Sequence, residues 1–469
     1  MSADLAVIGL GVMGANLARN FHSRGLTVAV YNRNTEVLDG FMAEHGDARF
    51  VRSPDVASLA AAMESPRVFV LMVTAGRAVD SVVEGLSAHL EPGDIIVDGG
   101  NSHFPDTERR VVALAERSIR FVGMGVSGGE EGALLGPSMM PGGDAGAWEV
   151  LRPLVEPAAA VADTGPCVAW CGSGGAGHFV KMVHNGIEYG DMQLISEVWT
   201  LMRGLGLGPA ALRGVFEGWN AGRLESFLIE ITAGIVAAKD PQGDGPLVEQ
   251  VLDVAGQKGT GRWTAIDAVE GGIPLSTIVA AVECRALSAA KAVRQRTAKL
   301  FCDPPTALAG VTVEDLEKAL YAAKIMSYTQ GFALLRARSV ERKYGTDLAE
   351  VARIWKAGCI IRASFLDRVY AAFRADPELP LLALDPSFAA EVRDALPAWR
   401  RVVGAAVAAG VPVPALSASL SYLDTLRTAD GSASMIQAQR DWFGAHTYRR
   451  MSDPQTPVHT DWEALEPLS

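Results

Sequence analysis

Four side chains that can carry out acid–base chemistry recur at helical spacing near the middle of the chain. They are Lys181, His184, Asn185 and Glu188. A helix would place all four on one face, because residues three, four and seven positions apart lie above one another. Lys181 and Glu188 would then be two turns apart, roughly 10 Å along the axis. At that spacing an amine and a carboxyl could address opposite ends of a small extended substrate.

The same spacing also fits an ordinary solvated helix face, the usual explanation for charges on a helix. Two features favour a functional site. Gly186 and Gly190 interrupt the segment where a surface helix would favour alanine, which indicates close approach of another backbone or of a ligand. The face also carries a histidine and an amide, which gain little from exposure to water. From spacing alone, both interpretations stay open.

A second group of residues, at the start of the chain, could bind phosphates. The motif Gly9-Leu10-Gly11-Val12-Met13-Gly14 lies between an apolar run and a helical pattern. In a GxGxxG motif the first glycine forms a tight turn, the second admits a pyrophosphate, and the third lets helix and strand pack closely. The helix N-terminus adds unpaired N–H groups and a positive dipole end. The motif predicts a dinucleotide site, and the alternative is a purely structural glycine turn.

The residues after the second predicted strand indicate which dinucleotide is bound. About 20 residues beyond the glycines, NAD-binding folds carry an acidic residue for the ribose 2′-hydroxyl. This chain has Asn32, Arg33 and Asn34 instead. Arg33 can stack on adenine and pair with a 2′-phosphate, and its neighbours can add hydrogen bonds. NADP is therefore the expected cofactor, and Asn34 or Thr35 could at the same time cap the next helix.

Three kinds of segment must position these groups. Through residue 176, apolar β-rich runs alternate with helical patterns, and strands are predicted at residues 5–9, 27–31, 68–73, 94–98 and 120–122. Such alternation predicts an α/β Rossmann-type domain with a doubly wound parallel sheet. Residues 177–433 predict a large all-α domain. Residues 434–469 are too few to build a core, and we expect this C-terminal tail to dock on another surface.

Composition and charge narrow the classes of partner. A net charge of −12 over 469 residues argues against nucleic acid, and an anionic substrate would need a local cationic pocket. The sequence has no apolar run long enough to span a bilayer and no secretory signal pattern. Its five scattered cysteines form neither a disulfide framework nor a metal motif. We expect a cytoplasmic protein with no membrane partner and no metal site.

Several segments together carry a family resemblance. They are GHFVKMVHNGIEYGDMQL at 177–194, DGGNS at 98–102, GVSGGEEG at 125–132, GPSMMPGG at 136–143, SFLIEIT at 226–232, GQKGTG at 256–261 and IQAQRDWFGAHTY at 436–448. In these segments and in their order, essentially the whole chain resembles the decarboxylating 6-phosphogluconate dehydrogenases. The resemblance implies oxidative decarboxylation of 6-phosphogluconate to ribulose 5-phosphate and carbon dioxide, with reduction of NADP to NADPH.

The resemblance also implies roles for individual positions. Lys181 would be the general base and Glu188 the general acid, with Asn185 as a third catalytic residue. Further cofactor contacts would come from Val73, Thr74, Ala75 and Asn101. Substrate contacts would come from Asn101, Ser127, Gly128, Gly129, His184, Tyr189, Lys258, Thr260 and Arg285. In a homodimer, Arg440 and His446 of the tail would reach the partner subunit's site and add to its cationic pocket.

Two positions depart from the family pattern, and two other functions stay open. Thr74 stands where family members usually have lysine, on the expected nicotinamide side, and Lys356-Ala357 replaces the usual Arg-Gly. One alternative function is another β-hydroxyacid dehydrogenase, of the 3-hydroxyisobutyrate or tartronate semialdehyde type, which would lack the long helical half and the tail motif. The other is a non-catalytic NADP-binding protein, which would be favoured if Lys181 or Glu188 were replaced.

Overall fold

The structure is a computed structural model that describes residues 2–302 and 307–466. The chain forms two compact units, Met1–Ser419 and Leu420–Ser469. The last three residues of the predicted tail, 467–469, lie outside the described residues. None of the described helices is both long and apolar enough to cross a membrane.

The larger unit begins with alternating strands and helices. They are β1 (Leu5–Ile8), α1 (Val12–Ser23), β2 (Val28–Tyr31), α2 (Thr35–His45), β3 (Phe50–Arg52), α3 (Val56–Ala61), β4 (Val68–Leu71), α4 (Arg77–Leu86), β5 (Ile95–Asp98), α5 (Phe104–Ala115), β6 (Arg120–Val126), α6 (Gly129–Leu135), β7 (Met139–Gly143), α7 (Trp148–Val155), β8 (Val161–Ala162) and β9 (Gly165–Pro166). The first seven strands form one sheet in the order β3-β2-β1-β4-β5-β6-β7.

Both faces of this sheet are buried. Neighbouring residues of one strand, such as Ala6 and Val7, belong to different apolar clusters, because successive side chains point to opposite faces. Helices cover both clusters, and the parallel strands are therefore continuous apolar runs. The predicted Rossmann-type doubly wound architecture is confirmed.

The sheet is mixed, and the prediction of a wholly parallel sheet is wrong in one strand. The five predicted strands correspond to β1, β2, β4, β5 and β6, whereas β3 and β7 were not predicted. β7 pairs antiparallel with β6. Its sequence, MMPGG, contains proline and two glycines, which are unfavourable in strands. Because the seven-residue α6 is too short to carry the chain back along the sheet, the chain returns as an antiparallel strand.

The rest of the larger unit is helical, as predicted. Its helices are α8 (Ala176–Gly204), α9 (Pro209–Asn220), α10 (Phe227–Ala237), α11 (Thr260–Glu270), α12 (Ser276–Ala289), α13 (Lys291–Leu300), α14 (Val313–Arg342), α15 (Leu348–Ile354), α16 (Phe365–Ala375), α17 (Pro386–Ala408) and the start of α18 (Pro414–Leu426). The long helices α8 and α14 pack against each other, and α8 also packs on β6 and β7. α8 therefore connects the sheet to the helical layer.

The smaller unit consists of the end of α18, the helix α19 (Ala433–Gly444) and a hairpin of β10 (Tyr448–Arg450) and β11 (Asp453–Val458). A buried carboxylate organises it. Asp441 accepts hydrogen bonds from the backbone N–H groups of Thr447 and Thr460 and from Trp462 Nε1, at 2.9, 3.1 and 2.8 Å. The large side chains of Trp442 and Phe443 stay 56% and 73% exposed. The Asp441 hydrogen bonds thus hold this unit together, and two of its aromatic side chains remain on its surface.

Candidate active site

The predicted acid–base face lies on α8, a helix that runs without interruption from Ala176 to Gly204. Lys181 and His184 are buried, with 5% and 0% of their surface exposed, and the Glu188 side chain is 21% exposed. The prediction that these side chains share one helix face is confirmed. The alternative of a solvated face is wrong, since water reaches almost none of Lys181.

A chain of hydrogen bonds connects this face to two other elements. Lys181 Nζ donates to Ser127 Oγ at 3.0 Å, at the end of β6. His184 Nδ1 lies 3.0 Å from Asn185 Oδ1, and Asn185 Nδ2 donates to Thr260 Oγ1 at 3.0 Å. Thr260 is the first residue of α11. The fold thus brings predicted site residues from three segments into one polar cluster.

Glycines make this close packing possible. A Cβ on Gly125 of β6 would lie 2.3 Å from Lys181 Cβ, so only glycine leaves room for the lysine stem. A Cβ on Gly186 would lie 2.7 Å from Thr264 Cγ2. A Cβ on Gly190 would lie 2.5 Å from Ser327 Oγ. The close approach predicted at the two helix glycines is confirmed, but side chains of α11 and α14 make it rather than a backbone or a ligand.

Burial makes the neutral form of the amine accessible. It lowers the pKa of Lys181, and the opposing effect of the nearby Glu188 carboxyl does not reverse this direction. Burial also lowers the pKa of His184 well below its usual range, and the nearby Lys181 adds to that effect. His184 is therefore a neutral hydrogen-bonding group beside a lysine that can act as a base.

The carboxyl on the same face is shifted in the opposite direction. Burial raises the pKa of Glu188, Lys181 and Arg285 oppose that rise, and Asp191 adds to it. The His184 Nδ1 atom lies 3.9 Å from Glu188 Oε2. A carboxyl in this environment keeps its proton to higher pH than an exposed one, which suits a general acid.

Two predicted substrate-binding residues are cationic, Arg285 on α12 and Lys258 in the loop before α11. The Arg285 guanidinium lies 3.4 Å from the centre of the Tyr189 ring, a cation–π arrangement. Arg285 Nη1 also donates to the Gly256 carbonyl at 3.3 Å, which ties the loop before α11 to α12. Lys258 in that loop is exposed. These groups can supply the local positive charge that the acidic chain requires.

The turn after β6 has the backbone expected of an anion-binding segment. Gly128 has a φ of +101° and Gly129 a φ of +66°, both in the left-handed region that favours glycine. A Cβ on Gly128 would lie 2.7 Å from the Gly358 carbonyl oxygen. Ser127, beside them, is already bonded to Lys181. The turn therefore places the Ser127 hydroxyl beside the Lys181 amine.

The first glycine motif has the geometry of a dinucleotide site. Gly9 has a φ of +97° and a Cβ there would lie 2.6 Å from the Met72 carbonyl oxygen. A Cβ on Gly14 would lie 1.9 Å from the Gly9 carbonyl oxygen, so helix and strand are in direct contact. Gly11, in contrast, faces open space. The tight turn, the open approach and the close packing are the three features that a pyrophosphate site requires, and these residues fit NADP.

The neighbouring cofactor positions lie at the carboxyl ends of the parallel strands. Asn32 Oδ1 accepts from the Leu10 N–H at 3.0 Å, and Asn34 caps α2 by accepting from the Glu36 N–H at 2.9 Å. The capping prediction is thus confirmed for Asn34. Arg33 is exposed between them, as a phosphate-binding side chain should be. The remaining positions follow β4 and β5, and they are Val73, Thr74, Ala75 and Asn101.

Two predicted site residues lie in the smaller unit. Arg440 Nη1 donates to Gln437 Oε1 at 3.1 Å, and the His446 ring packs edge-on against Phe443. Both side chains are exposed.

Within the described part of the chain, no group of three or more His, Cys, Asp or Glu side chains could hold a metal ion.

Sequence reasoning missed a buried ionic group next to this site. Asp191, Lys324 and Tyr328 form it between α8 and α14. The missed signal was the place of Asp191 within the same motif as Lys181 and Glu188, three residues after the predicted acid.

Comparisons with known proteins cover the whole chain. The sequence family described as NAD binding domain of 6-phosphogluconate dehydrogenase matches residues 4–172, and the family described as 6-phosphogluconate dehydrogenase, C-terminal domain, matches residues 177–462. The decarboxylating 6-phosphogluconate dehydrogenase of Synechococcus elongatus is 50% identical over 467 residues, which are 98% of this chain and 99% of the relative. That of Schizosaccharomyces pombe is 49% identical over 473 residues, 98% and 96% of the two chains.

A solved structure gives the same result. The 6-phosphogluconate dehydrogenase of Plasmodium falciparum, determined as apo protein and in complexes with NADP+ and with 6-phosphogluconate, superposes with a TM-score of 0.94 and 42% identity, over 98% of this chain and 100% of that chain. The match includes the long helical half, where the other β-hydroxyacid dehydrogenases were expected to differ. The chain belongs to the 6-phosphogluconate dehydrogenase family.

Proposed function

We propose that this chain carries out the reaction of its family with Lys181 as general base and Glu188 as general acid. The reaction is the oxidation and decarboxylation of 6-phosphogluconate to ribulose 5-phosphate and carbon dioxide, with NADP+ as oxidant. The observation that supports these roles most strongly is the placement of both groups on one face of α8, with Lys181 buried and the Glu188 side chain 21% exposed, and with pKa shifts toward the neutral amine and the neutral carboxyl. Asn185, bonded to Thr260, orients the cluster between them.

The cofactor would be held by the glycine motif at residues 9–14, by Asn32, Arg33 and Asn34, and by residues 73–75 and Asn101. Bound there, NADP+ supplies the acceptor for a hydride from C3 of the substrate. Arg33 is the residue that would select the 2′-phosphate, because a guanidinium pairs with phosphate and an acidic residue would repel it.

The first step needs a base at the substrate 3-hydroxyl. Neutral Lys181 takes the hydroxyl proton while the C3–H bond breaks, and the amine becomes an ammonium. Ser127, which already accepts a hydrogen bond from Lys181 Nζ, keeps the amine in place. The product of this step is a 3-keto acid, in which the carboxylate lies β to a carbonyl.

The second step breaks the C1–C2 bond. Carbon dioxide leaves, and the electron pair moves through C2 to the C3 oxygen, where the Lys181 ammonium stabilises the developing negative charge and returns its proton. The enediol that remains becomes ribulose 5-phosphate when Glu188 protonates the former C2, which is C1 of the product, while neutral Lys181 takes the proton of the enol hydroxyl at the former C3 and leaves the ketone. The β-keto acid supplies its own electron sink, so the residues need only move protons.

Substrate binding and assembly complete the proposal. The anionic ends of the substrate would meet Ser127, Gly128, Gly129, His184, Tyr189, Lys258, Thr260 and Arg285 in one subunit. Arg440 and His446 would come from the tail of the partner subunit in a homodimer, and the exposed aromatic surface of the smaller unit supports such docking. We also propose residues 1–176 as the cofactor domain, 177–433 as the substrate and dimerisation domain, 434–469 as the tail, and a cytoplasmic location.

The variant Glu188→Gln tests the assignment of acid and base. Assayed in ²H₂O with 6-phosphogluconate and NADP+, it should form NADPH in its first turnover at close to the wild-type rate. Its formation of ketose with deuterium at C1 should fall about a hundredfold or more. Glu217→Gln, on the exposed face of α9, is the matched control and should behave as wild type. Equal losses in NADPH and ketose formation in Glu188→Gln would show that Glu188 is not the acid.

A further inference from the structure

A buried ionic cluster lies directly behind the catalytic face of α8. Asp191 Oδ2 accepts a hydrogen bond from Lys324 Nζ at 2.6 Å, and the Tyr328 hydroxyl lies 3.3 Å from the same oxygen. Asp191, Lys324 and Tyr328 are only 2%, 6% and 0% exposed. The proposed reaction uses none of these groups. Yet Asp191 follows Glu188 by three residues on the same helix, so the two carboxyls are one turn apart.

Stability does not account for this cluster. Replacing a buried ion pair with apolar residues is often neutral or stabilising, because the desolvation of two charges offsets their attraction. Two buried polar atoms here also lack hydrogen bonds in the described part of the chain. Asp191 Oδ1 and the neighbouring Ser327 Oγ are buried, and neither has a hydrogen-bond partner among the described residues. A role other than stabilisation is therefore needed to explain this buried ion pair.

The charges around Glu188 show what Asp191 can do. On α8 the carboxyl faces Lys181 and the neutral His184, and α12 contributes Arg285. From α14, Lys324 and Tyr328 act on Asp191. The two cations Lys181 and Arg285 favour loss of the Glu188 proton, whereas Asp191 favours its retention.

We propose that Asp191, held in place by Lys324, is a positioning residue that fixes the Glu188 turn of α8 against α14 and sets a buried negative charge one turn beyond the general acid. This inference rests on the proposed role of Glu188. Neither Asp191 nor Lys324 is assigned contact with the substrate, and both act through Glu188. A negative charge there opposes ionisation of Glu188 and keeps its proton available for the enediol at the pH where Lys181 is a free base.

The test is the pH dependence of ketose formation by Asp191→Asn. The alkaline limb of the profile, where Glu188 loses its proton, should move to lower pH. Above that limb the rate relative to wild type should fall about threefold to tenfold, the change that half to one pKa unit produces. The acid limb, which reports Lys181, should stay in place. A purely structural defect would lower the whole profile without moving either limb.

Two further variants keep the result interpretable. Asp191→Asn leaves Lys324 buried without its carboxylate, so the double variant Asp191→Asn/Lys324→Met is measured as well. It should move the limb in the same direction by a smaller amount, because the Lys324 cation is removed together with the carboxylate. Arg67→Met is the matched control, because it breaks a comparably buried pair, Arg67 Nη2 to Asp94 Oδ2 at 2.7 Å, within the sheet region. Its alkaline limb should not move.

The outcomes separate this inference from the proposed function. If Glu188→Gln removes the alkaline limb and neither Asp191 variant shifts it, Asp191 has no such role and Glu188 remains the acid. If Glu188→Gln leaves the limb unchanged, the acid assignment itself is wrong, and the inference is overturned with it. A shift in both Asp191 variants, with none in Arg67→Met, supports the inference.

Discussion

Lys181 and Glu188 lie two turns apart on α8, and burial shifts both toward their neutral forms. It lowers the pKa of the Lys181 amine and raises the pKa of the Glu188 carboxyl. A neutral amine can accept a proton and a neutral carboxyl can donate one. The helix therefore holds an amine and a carboxyl about 10 Å apart along its axis, each shifted toward the form that its proposed step requires.

Removal of the amine should abolish turnover without affecting cofactor binding. We expect Lys181→Ala to lower the rate of NADPH formation by about 10²- to 10⁴-fold, the usual contribution of a general base. NADP+ affinity, measured by fluorescence titration, should stay within about twofold, because the glycine motif lies in the turn between β1 and α1 and at the start of α1, not on α8. Lys318→Ala, a lysine on α14 paired with Glu314, is the control. Near-normal oxidation by Lys181→Ala would remove the base assignment.

The buried Lys181 amine should also lower the free energy of unfolding by an amount that depends on pH. Because the pKa of Lys181 is lower in the folded chain than its ordinary value of 10.5, the unfolded chain binds more protons between the two values, and stability falls as pH decreases through that window. Lys181→Met removes this cost. Its Tm should exceed that of the wild type at neutral pH, and the difference should shrink toward pH 10.5. Thermal unfolding across this range provides the measurement, and a constant or negative difference would contradict the prediction.

Much of this site follows from local spacing, and the rest depends on tertiary contacts. The shared face of Lys181 and Glu188 follows from helix periodicity, and the roles of Gly9 and Gly14 follow from their motif. No local rule pairs Ser127 with Lys181, 54 positions away, and the family resemblance alone placed them in one site. The burial of Asp191 and Lys324 was not predicted, because helix periodicity assigns charged side chains to the solvent-facing side. Here the two side chains form an ion pair in the protein interior.

The strand β7 illustrates a second limit. Its residues Pro141, Gly142 and Gly143 have poor strand propensity, yet they pair with β6. Small residues are needed there because a Cβ on Gly142 would lie 2.4 Å from the Gly177 backbone nitrogen of α8. Tertiary packing thus overrides strand propensity at the place where α8 meets the sheet.

Selection of NADP should depend on Arg33. We expect Arg33→Ala to raise the Kd for NADP+ about tenfold to a hundredfold, the loss of one charge-assisted hydrogen-bonded contact, and to leave the Kd for NAD+ almost unchanged. Titration calorimetry with both dinucleotides measures this. Arg117→Ala, an exposed arginine after α5, should change neither constant. Equal losses for both dinucleotides would mean that Arg33 does not read the 2′-phosphate.

Another buried carboxyl on α8, that of Glu197, should respond to pH in the opposite sense from Lys181. Glu197 accepts the N–H groups of Ala415 and Leu416 at 2.8 and 2.9 Å, where α18 begins. Burial raises its pKa from 4.5 to about 7, against these hydrogen bonds. The folded chain therefore binds more protons than the unfolded chain between these values, and the stability contributed by Glu197 is lost as pH rises through about 7.

Glu197→Gln should cancel this pH dependence. Above pH 7 the variant should be more stable than the wild type by about 1–3 kcal/mol. One pKa unit corresponds to about 1.36 kcal/mol, and this gain is reduced because the glutamine amide has one hydrogen-bond acceptor atom fewer than the carboxylate. Near pH 4.5 that advantage should vanish. Urea unfolding at the two pH values measures the difference, and an equal effect at both would show that Glu197 does not titrate in this range.

The most direct measurement is a structure of this chain bound to 6-phosphogluconate and NADP+. We expect Lys181 Nζ within about 3.2 Å of the substrate 3-hydroxyl oxygen, and the Glu188 carboxyl beside C2, the carbon that becomes C1 of the product. A complex in which either side chain points away from the bound sugar acid would contradict this expectation.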